Sequence, residues 1–417
     1  MRLAIVVPRY GPDILGGAET FARIFAEQMT ARGHGVAVLT TCGRDHLTWR
    51  NELPAGRATI NGIAVERFPM LTNWGTARYH ALHGRILSGQ ALTIDEQYEW
   101  VDSGAHSPAL YAFIQRHHAR YDLLIFVPYL FPTTYYGASI VPDKSVIWPC
   151  LHDEGYAWLA PTRATLASAR GVMFNVEPER RLAHRLGVYN PGEAIVGFGM
   201  APVSGSAERF RKASGISEPF ILYSGRLEGS KNVPRLLGYF LEYKREHGGP
   251  LKLVLMGTGP EAIPAHKDIV RLGFRQGQDK LDTYAAASVL CQPSVNESFS
   301  IVIMESWQAG VPVLVHGNCA VTKYHARRSG GGLYFLNYAD FSGALDLLLE
   351  DAALRTRMGQ NGCRYVAQNY NWEAVIGRFT AAAARWQSTA DLAAPAPNAP
   401  DGAGLDARRS GEAPGGG

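Results

Sequence analysis

Short apolar runs alternate with longer stretches of mixed apolar and polar residues along most of this chain. Leu3–Val7, Leu123–Val127 and Lys252–Met256 have the length and composition of buried strands. The stretches between such runs are long enough for helices, and strands that alternate with helices are typical of parallel βαβ units. The pattern therefore predicts an α/β protein with two doubly wound parallel sheets. Further strands are predicted from Phe220 onwards and at Val36–Thr40, Ser145–Trp148, Gly171–Asn175, Ala194–Phe198, Val289–Gln292 and Pro312–Val315.

The composition divides the chain into four parts. Ala201–Gly215 is rich in small and polar residues, which indicates a linker between an N-terminal domain at residues 1–203 and a C-terminal domain at residues 204–370. A final helix is predicted within residues 371–387. Residues 388–417 carry almost no bulky apolar side chain, so we predict that they are disordered.

Charge and cysteine content narrow the class of protein. The net charge of +4 on 417 residues is too small to indicate a nucleic-acid-binding protein. The five cysteines are never spaced as Cys-x-x-Cys, which favours a reducing cytoplasm over a disulfide framework or a zinc site. The first apolar run is too short for a signal peptide or a membrane span. We therefore expect a cytoplasmic protein, with contact at the inner face of the plasma membrane left open.

Two glutamates eight positions apart, Glu297 and Glu305, frame the most informative motif. A predicted helix from Ser300 to Ala309 places Glu297 in the preceding loop and Glu305 a little over one turn inside the helix. Isolated glutamates ordinarily face water, but this helix is apolar on nearly every side, so Glu305 requires a partner or a ligand. The free N–H groups at the start of such a helix stabilise phosphate. A nucleotide sugar would use these amides and both carboxylates.

A glycine-containing turn with two cations follows the predicted strand at Phe220. Gly225 and Gly229 allow the backbone to approach a ligand closely. Arg226 offers a planar fork of donors and Lys231 a compact charge, a combination that suits the two phosphates of a nucleoside diphosphate. A solvated basic loop is an equal alternative on these residues alone.

Three further positions are candidate ligand-binding residues. The pair Gly16-Gly17 precedes a helix, so its backbone is suited either to approaching a ligand or to forming a tight turn. His152 follows a predicted strand ending at Leu151, at the sheet edge where α/β proteins bind ligands, although a histidine that packs the strand end is the alternative. Gly257 is interpreted as part of a loop beside a nucleotide base, with a plain turn as its alternative.

A nicotinamide-dependent oxidoreductase is a competing class with a similar architecture. It requires Gly-x-Gly-x-x-Gly after the first strand and an acidic residue at the end of the second strand. The first strand is instead followed by Pro8-Arg9-Tyr10, and the second ends at Thr40-Thr41. This mismatch argues against a dehydrogenase.

Taken together, the motifs resemble those of retaining glycosyltransferases of family 4, which have the GT-B fold. The resemblance spans about residues 1–385 and includes the Gly16-Gly17 loop, the turn Gly225–Lys231, and the pair Glu297 and Glu305. It implies two Rossmann-like domains that face each other across a cleft. It also implies a C-terminal helix that crosses back onto the first domain.

The resemblance assigns a role to each motif residue. Arg226 and Lys231 would bind the diphosphate, and Glu305 would bind the ribose. Glu297 would hold the donor sugar together with the amides of Phe299 and Ser300, although the family usually has glycine at the position of Ser300. The implied catalytic residues are Arg226, Lys231, Glu297 and His152. The implied donor-binding residues are Gly16, Gly17, Arg226, Lys231, Gly257, Glu297, Ser298, Phe299, Ser300, Ile301 and Glu305.

The expected reaction is transfer of a hexose from a nucleoside diphosphate sugar to a glycan or lipid-linked glycan, with retention at the anomeric carbon. No metal or other cofactor is expected, because Arg226 and Lys231 supply the positive charge. Thr72–Pro108, a long segment without a strand pattern, is predicted to be an acceptor-side element. With Pro128–Gly137 it resembles members that build bacterial surface polysaccharides. The alternative is a catalytically silent GT-B subunit that binds nucleotide sugar in an assembly.

Overall fold

Two separate β-sheets flanked by helices make up the computed structural model of the protein, which describes residues 1–14, 16–45 and 48–388. The first sheet contains β1 (Arg2–Val6), β2 (Gly35–Thr41), β3 (Gly56–Ile60), β4 (Ile63–Phe68), β5 (Leu123–Phe126), β6 (Ser145–Ile147), β7 (Gly171–Phe174) and β8 (Glu193–Ile195). Its order is β3-β4-β2-β1-β5-β6-β7-β8, and only the β3–β4 pair is antiparallel among these strands. The accompanying helices are α1 (Gly17–Ala31), α2 (Ala77–Leu87), α3 (Ile94–Asp102), α4 (Pro108–His117), α5 (Pro132–Ile140), α6 (Ala160–Ser168) and α7 (Glu177–Arg185).

The second sheet is parallel throughout its described strands. It contains β9 (Phe220–Ser224), β10 (Lys252–Met256), β11 (Ile269–Gly273), β12 (Val289–Gln292), β13 (Val313–His316) and β14 (Gly332–Phe335), in the order β11-β10-β9-β12-β13-β14. Its helices are α8 (Ala207–Ser214), α9 (Val233–His247), α10 (Gly277–Ala286), α11 (Ile301–Gln308), α12 (Ala320–Ser329), α13 (Tyr338–Glu350), α14 (Ala352–Asn369) and α15 (Trp372–Gln387). In the described part of the chain, no helix is long and apolar enough to cross a membrane.

The strands that the apolar pattern missed lie mainly at the edges of the two sheets. β3, β11 and β14 are edge strands, and each has residues that are only partly buried. β4 lies beside β3 and alternates buried and more exposed positions. Because such strands need only one apolar face, their sequences lack the continuous apolar run that marks a central parallel strand.

The predicted linker is partly helical, so that interpretation of Ala201–Gly215 was wrong in its second half. α8 buries Phe210 against Phe220, with ring centroids 5.4 Å apart. Arg209 on the same helix makes a two-pronged ion pair with Asp282 of α10, with both N–O distances 2.7 Å. An amphipathic helix this short shows a single large apolar residue, which explains why composition alone indicated a linker. The domain limits themselves stay predictions, and residues 389–417 of the predicted disordered tail lie outside the described residues.

The last helix, α15, crosses back onto the first sheet, as predicted. Phe379 packs edge-to-face on Phe25 of α1 at 5.0 Å, and the Trp386 indole donates a 2.6 Å hydrogen bond to the Gly192 carbonyl. A Cβ added at Gly171 would lie 2.3 Å from Trp386, so only glycine leaves room for this ring. The helix therefore ties the C-terminal part of the described chain to the N-terminal domain.

An aromatic cluster joins the two halves near the start of α11. Phe21 of α1 stacks on Phe198 with ring centroids 4.0 Å apart, and Phe299 packs edge-on against Phe21 at 5.9 Å. Phe299 is buried, and its side chain belongs to this core. Only its backbone therefore remains available for the ligand-binding role that the resemblance implies.

A buried histidine beside this cluster predicts a pH dependence of stability. His325 bonds to the Tyr365 hydroxyl at 2.9 Å, and burial lowers the His325 pKa to about 3. The unfolded chain, with a histidine pKa of about 6.5, takes up a proton that the folded chain refuses, so stability falls as pH decreases below that value. His325→Gln removes this proton uptake. Between pH 7 and pH 5, the unfolding free energy of the variant should fall by ~2 kcal/mol less than that of the wild type. Urea unfolding at the two pH values measures this difference.

His80→Gln, at an exposed position on α2, is the matched control and should follow the wild-type pH dependence. Parallel pH dependences for the wild type and His325→Gln would contradict a histidine that stays neutral in the folded protein.

Candidate functional site

The N-terminus of α11 opens at the carboxyl end of the second sheet, directly after β12. Ser300 is its N-cap and has a φ of 68°, a left-handed conformation that favours glycine. In the described part of the chain, the buried Ser300 hydroxyl has no hydrogen-bond partner. The predicted helix is confirmed, since α11 spans Ile301–Gln308, and the left-handed conformation of its N-cap is one that glycine would adopt without strain.

Glu297 and Lys231 form an ion pair in front of this helix. The Lys231 Nζ lies 2.9 Å from the Glu297 Oε1, and Gln292 Nε2 donates to the same oxygen at 3.3 Å. Both charged side chains are largely buried, at 21% exposure for Lys231 and 12% for Glu297. The loops that carry them are fastened together, because Asn232 Nδ2 donates to the Pro293 carbonyl at 3.0 Å. The structure thus joins two motifs that are 66 residues apart in the chain.

Glu305 faces α10 from the second turn of α11. Its Oε1 accepts a 2.6 Å bond from Lys280 and its Oε2 a 2.8 Å bond from the Tyr284 hydroxyl. Burial and the nearby Glu305 carboxylate raise the Tyr284 pKa well above its usual value, so Tyr284 remains a donor. The expectation that this carboxylate needs a partner is met by two side chains. Each oxygen retains a second lone pair for a ligand hydroxyl.

Arg226 is not brought to the Lys231–Glu297 pair. Its guanidinium is 62% exposed and lies 3.0 Å from Glu228 of the same turn. The turn itself is held by the Tyr223 hydroxyl, which donates a 2.6 Å bond to the Arg226 carbonyl. The guanidinium has five N–H donors and is mostly exposed, so its contact with Glu228 leaves other donors for a diphosphate.

Gly225 and Gly257 bring two loops of the second sheet into backbone contact. Their φ angles are 149° and 143°, and a Cβ at Gly257 would lie 1.9 Å from the Gly225 carbonyl oxygen. Close packing therefore already requires glycine at residue 257. Its predicted place beside a nucleotide base stays a prediction.

The Gly16-Gly17 loop starts α1 on the opposite side of the cleft. A Cβ at Gly16 would lie 2.1 Å from a Glu19 carboxylate oxygen, whereas a Cβ at Gly17 would meet no described atom within 4 Å. Glu19 forms a buried ion pair with Arg9. Gly16 is thus needed for packing, and Gly17 offers open backbone.

His152 lies on the first-domain side, four residues further from its strand than predicted, because β6 ends at Ile147. Its Nδ1 is 3.7 Å from Glu154, which also accepts a 2.7 Å bond from the Tyr129 hydroxyl. Burial opposes ionisation of Glu154, but bonds from His152 and Tyr129 and the charge of Lys231 lower its pKa overall. Glu154 in the first domain and Lys231 in the second therefore lie close enough for their charges to interact.

Sequence reasoning missed several side chains that complete this site. Glu154 lies two residues after His152, and Tyr129 lies within Pro128–Gly137, the segment that resembles polysaccharide-building members. Lys280 lies on a helix with no motif, so nothing in its local sequence marked it. The other missed side chains are Tyr284, Ser224, Gln292 and Arg9.

Comparison with solved structures identifies the fold. The fold is similar to that of HepE from Anabaena in complex with UDP-glucose, with a TM-score of 0.66 at 15% sequence identity, covering 91% of this chain and 98% of that one. Two parallel-sheet domains with a returning C-terminal helix are the GT-B architecture, and the prediction of this fold is confirmed.

Similarity to other protein sequences indicates the class of enzyme. Residues 206–365 match the family described as Glycosyl transferases group 1. An uncharacterized glycosyltransferase of Methanocaldococcus jannaschii is 24% identical over 406 residues, covering 89% of this chain and 95% of that protein. A D-inositol 3-phosphate glycosyltransferase of Kribbella flavida is 31% identical over 213 residues, and the match spans only 45% of this chain and 47% of that enzyme. The chain is a glycosyltransferase.

Proposed function

We propose that the protein is a retaining, metal-independent glycosyltransferase of family 4. It transfers a hexose from a nucleoside diphosphate sugar to a glycan or lipid-linked glycan during cell-surface polysaccharide assembly. The observation that carries this proposal is the Lys231–Glu297 pair, which lies before the α11 N-terminus with Glu305 one turn further on. The arrangement supplies, in one cleft, the groups that a diphosphate, a sugar and a ribose each need.

The chemistry follows from how these groups are charged. Lys231 and the α11 amides stabilise the negative charge that develops on the departing diphosphate. Glu297, held by Lys231 and Gln292, orients the hexose hydroxyls and favours positive charge on the sugar ring as the glycosidic bond breaks. The acceptor oxygen attacks from the same face, and its proton passes to the departing phosphate oxygen. Retention results without a covalent enzyme intermediate.

A catalytically silent nucleotide-sugar-binding subunit is the second candidate. Purified protein incubated with a panel of nucleotide sugars separates the two, because an active transferase slowly hydrolyses its donor when no acceptor is present. UDP-glucose is the first donor to test, since HepE was solved with that ligand. Binding without any hydrolysis or transfer across the panel would favour the silent subunit.

Glu305→Gln should weaken binding of the donor and of the free nucleoside diphosphate to a similar extent. Both ligands carry the ribose, and loss of one charge-assisted hydrogen bond costs roughly 1.5–3 kcal/mol. Titration calorimetry with the nucleoside diphosphate measures this change directly. The amide still accepts one bond from Lys280 or Tyr284, so the helix packing is retained.

Glu350→Gln, at an exposed position on α13, removes a carboxylate elsewhere in the same domain and is the matched control. Nucleotide affinity that is equal in Glu305→Gln and the wild type would assign Glu305 to the α10–α11 contact alone.

A further inference from the structure

The first domain contains a cavity of about 320 Å³ that the nucleotide-sugar reaction does not use. It lies among α2, α3, α5 and α6, and part of its wall comes from Thr72–Pro108, the segment without a strand pattern. We call it the aromatic cavity. The side chains on which the argument rests are Trp74, Tyr79, Trp100, Tyr129, Phe131 and Tyr156.

The wall of the aromatic cavity is mostly aromatic and carries no carboxylate, ammonium or guanidinium group among its described residues. Tyr79 and Tyr156 each stack on a face of Trp100, with centroid distances of 6.1 and 5.3 Å and interplanar angles of 10° and 22°. Among the described residues that line it, none is Asp, Glu, Lys or Arg. Its titratable side chains other than tyrosine are His80 and His83, and burial lowers the pKa of His83, which favours its neutral form. Such a surface gains free energy by covering apolar atoms.

One residue of this wall, Trp100, has a hydrogen-bond donor that no described group accepts. The Trp100 side chain is 7% exposed, and within the described part of the chain its indole N–H has no acceptor. A buried donor without a partner is uncommon in folded proteins. A ligand that brings one acceptor atom with its apolar part, such as the glycosidic oxygen of an apolar glycoside, would satisfy this donor.

Tyr129 links the wall of the aromatic cavity to Glu154 on the first-domain side of the cleft. Tyr129 lines the cavity, and its hydroxyl donates the 2.7 Å bond to Glu154 described above. Glu154 in turn contacts His152 and responds to the charge of Lys231. A group bound in the cavity therefore lies within one side chain of the Glu154–His152 contact on the first-domain side of the cleft.

We propose that the aromatic cavity binds an uncharged apolar group that is covalently attached to the acceptor sugar. The inference rests on the proposed function, which it makes more specific: it favours a sugar with a hydrocarbon or aryl aglycone over a free glycan. An apolar aglycone gains more free energy from this wall than a bare sugar does, because most of the lining is aromatic and aliphatic surface. The volume is at the lower end for small-molecule sites, which suits one ring or a short alkyl segment.

Binding of simple glycosides tests the proposal without requiring the natural acceptor. Methyl, octyl and phenyl β-glucosides share one sugar, and their binding is followed by intrinsic tryptophan fluorescence below the micelle concentration. Burial of even three methylene groups favours the octyl compound by on the order of 50-fold over the methyl compound. Tighter binding of octyl alone indicates an alkyl aglycone, and tighter binding of phenyl alone indicates an aryl one.

Two variants locate the binding. Thr165→Phe fills the cavity from α6 and should remove the preference, and Thr162→Trp narrows it from the half-buried position one turn earlier. Leu87→Ala, 66% exposed at the end of α2, is the control and should keep the preference. Equal affinity for all three glycosides would overturn the proposal. Octyl glucoside binding that persists in both Thr165→Phe and Thr162→Trp would also overturn it, because it would show detergent-like binding at the surface only.

Nucleoside diphosphate titrations separate this inference from the function on which it rests. A wild-type protein that binds the nucleotide but shows no glycoside preference overturns the aromatic cavity alone. A protein that prefers the apolar glycosides but neither binds nor hydrolyses any nucleotide sugar overturns the proposed function. Once transfer is measurable, Thr165→Phe should raise the KM for the apolar glycoside far more than it lowers kcat, and the reverse pattern would contradict a binding role.

Discussion

Replacing Lys231 by alanine is expected to lower kcat by on the order of 100- to 1000-fold, the scale for removing one preorganised electrostatic contact to a developing charge. The ammonium group is largely buried and already held in place by Glu297, so it does not have to be ordered when the donor binds. The same substitution leaves the Glu297 carboxylate without its cation, which further disfavours negative charge on the diphosphate. Steady-state kinetics with saturating donor and acceptor measure the change.

Lys212→Ala, at an exposed position on α8, removes one lysine from the same domain and should leave kcat unchanged. Arg226→Ala is the informative comparison, because Arg226 is exposed and pairs with Glu228 in this structure. A loss as large as that of Lys231→Ala would show that Arg226 also contacts the diphosphate, in spite of its ion pair with Glu228. Wild-type turnover in Lys231→Ala would remove this residue from the mechanism.

The central strands and the α11 motif could be predicted because their physical signals are local. A strand buried on both faces must be continuously apolar, and β10 was predicted at its observed limits, Lys252–Met256. The start of α11 was visible because Pro293 and Ser294 follow the apolar run of β12, and Gly310 ends the helix. These constraints act within about ten residues, so a single sequence contains them.

The pairing of the site residues could not be predicted in the same way. Lys280 meets Glu305 across 25 positions, and Tyr129 meets Glu154 across 25 positions. Such contacts depend on which helices the sheet brings together, and a lone lysine on a polar helix face gives no sign of its partner. The exposure of Arg226 could not be predicted either. Arg226 was expected to bind a diphosphate, but in the structure its guanidinium pairs with the nearby Glu228.

The two glutamates of the motif have different partners, which separates their expected roles. Glu305 is bonded to two side chains of α10, away from Lys231, whereas Glu297 shares its Oε1 with Lys231 and Gln292. A change at Glu305 therefore acts on the part of the cleft assigned to the ribose. A change at Glu297 acts on the part assigned to the transferred sugar.

Glu297→Ala should abolish measurable transfer while leaving affinity for the free nucleoside diphosphate nearly intact. A carboxylate that accepts bonds from sugar hydroxyls orients the anomeric carbon, and misplacement by about 1 Å costs on the order of 100-fold in rate. Loss of the negative charge near the ring lowers the rate further, because positive charge builds there as the glycosidic bond breaks. Lys231 loses its ion-pair partner but remains available to the diphosphate. Transfer kinetics and nucleotide calorimetry on the same preparation measure both quantities.

Glu297→Gln separates the charge from the shape of this side chain. The amide retains an oxygen for sugar hydroxyls but cannot form the ion pair with Lys231, so its activity should fall between those of the wild type and Glu297→Ala. Normal transfer by Glu297→Ala would show that the sugar is oriented by other groups. If Glu297→Ala instead loses as much nucleotide affinity as Glu305→Gln, then Glu297 acts on the diphosphate through Lys231. In that case, the ion pair with Glu297 would be what positions Lys231 for phosphate binding.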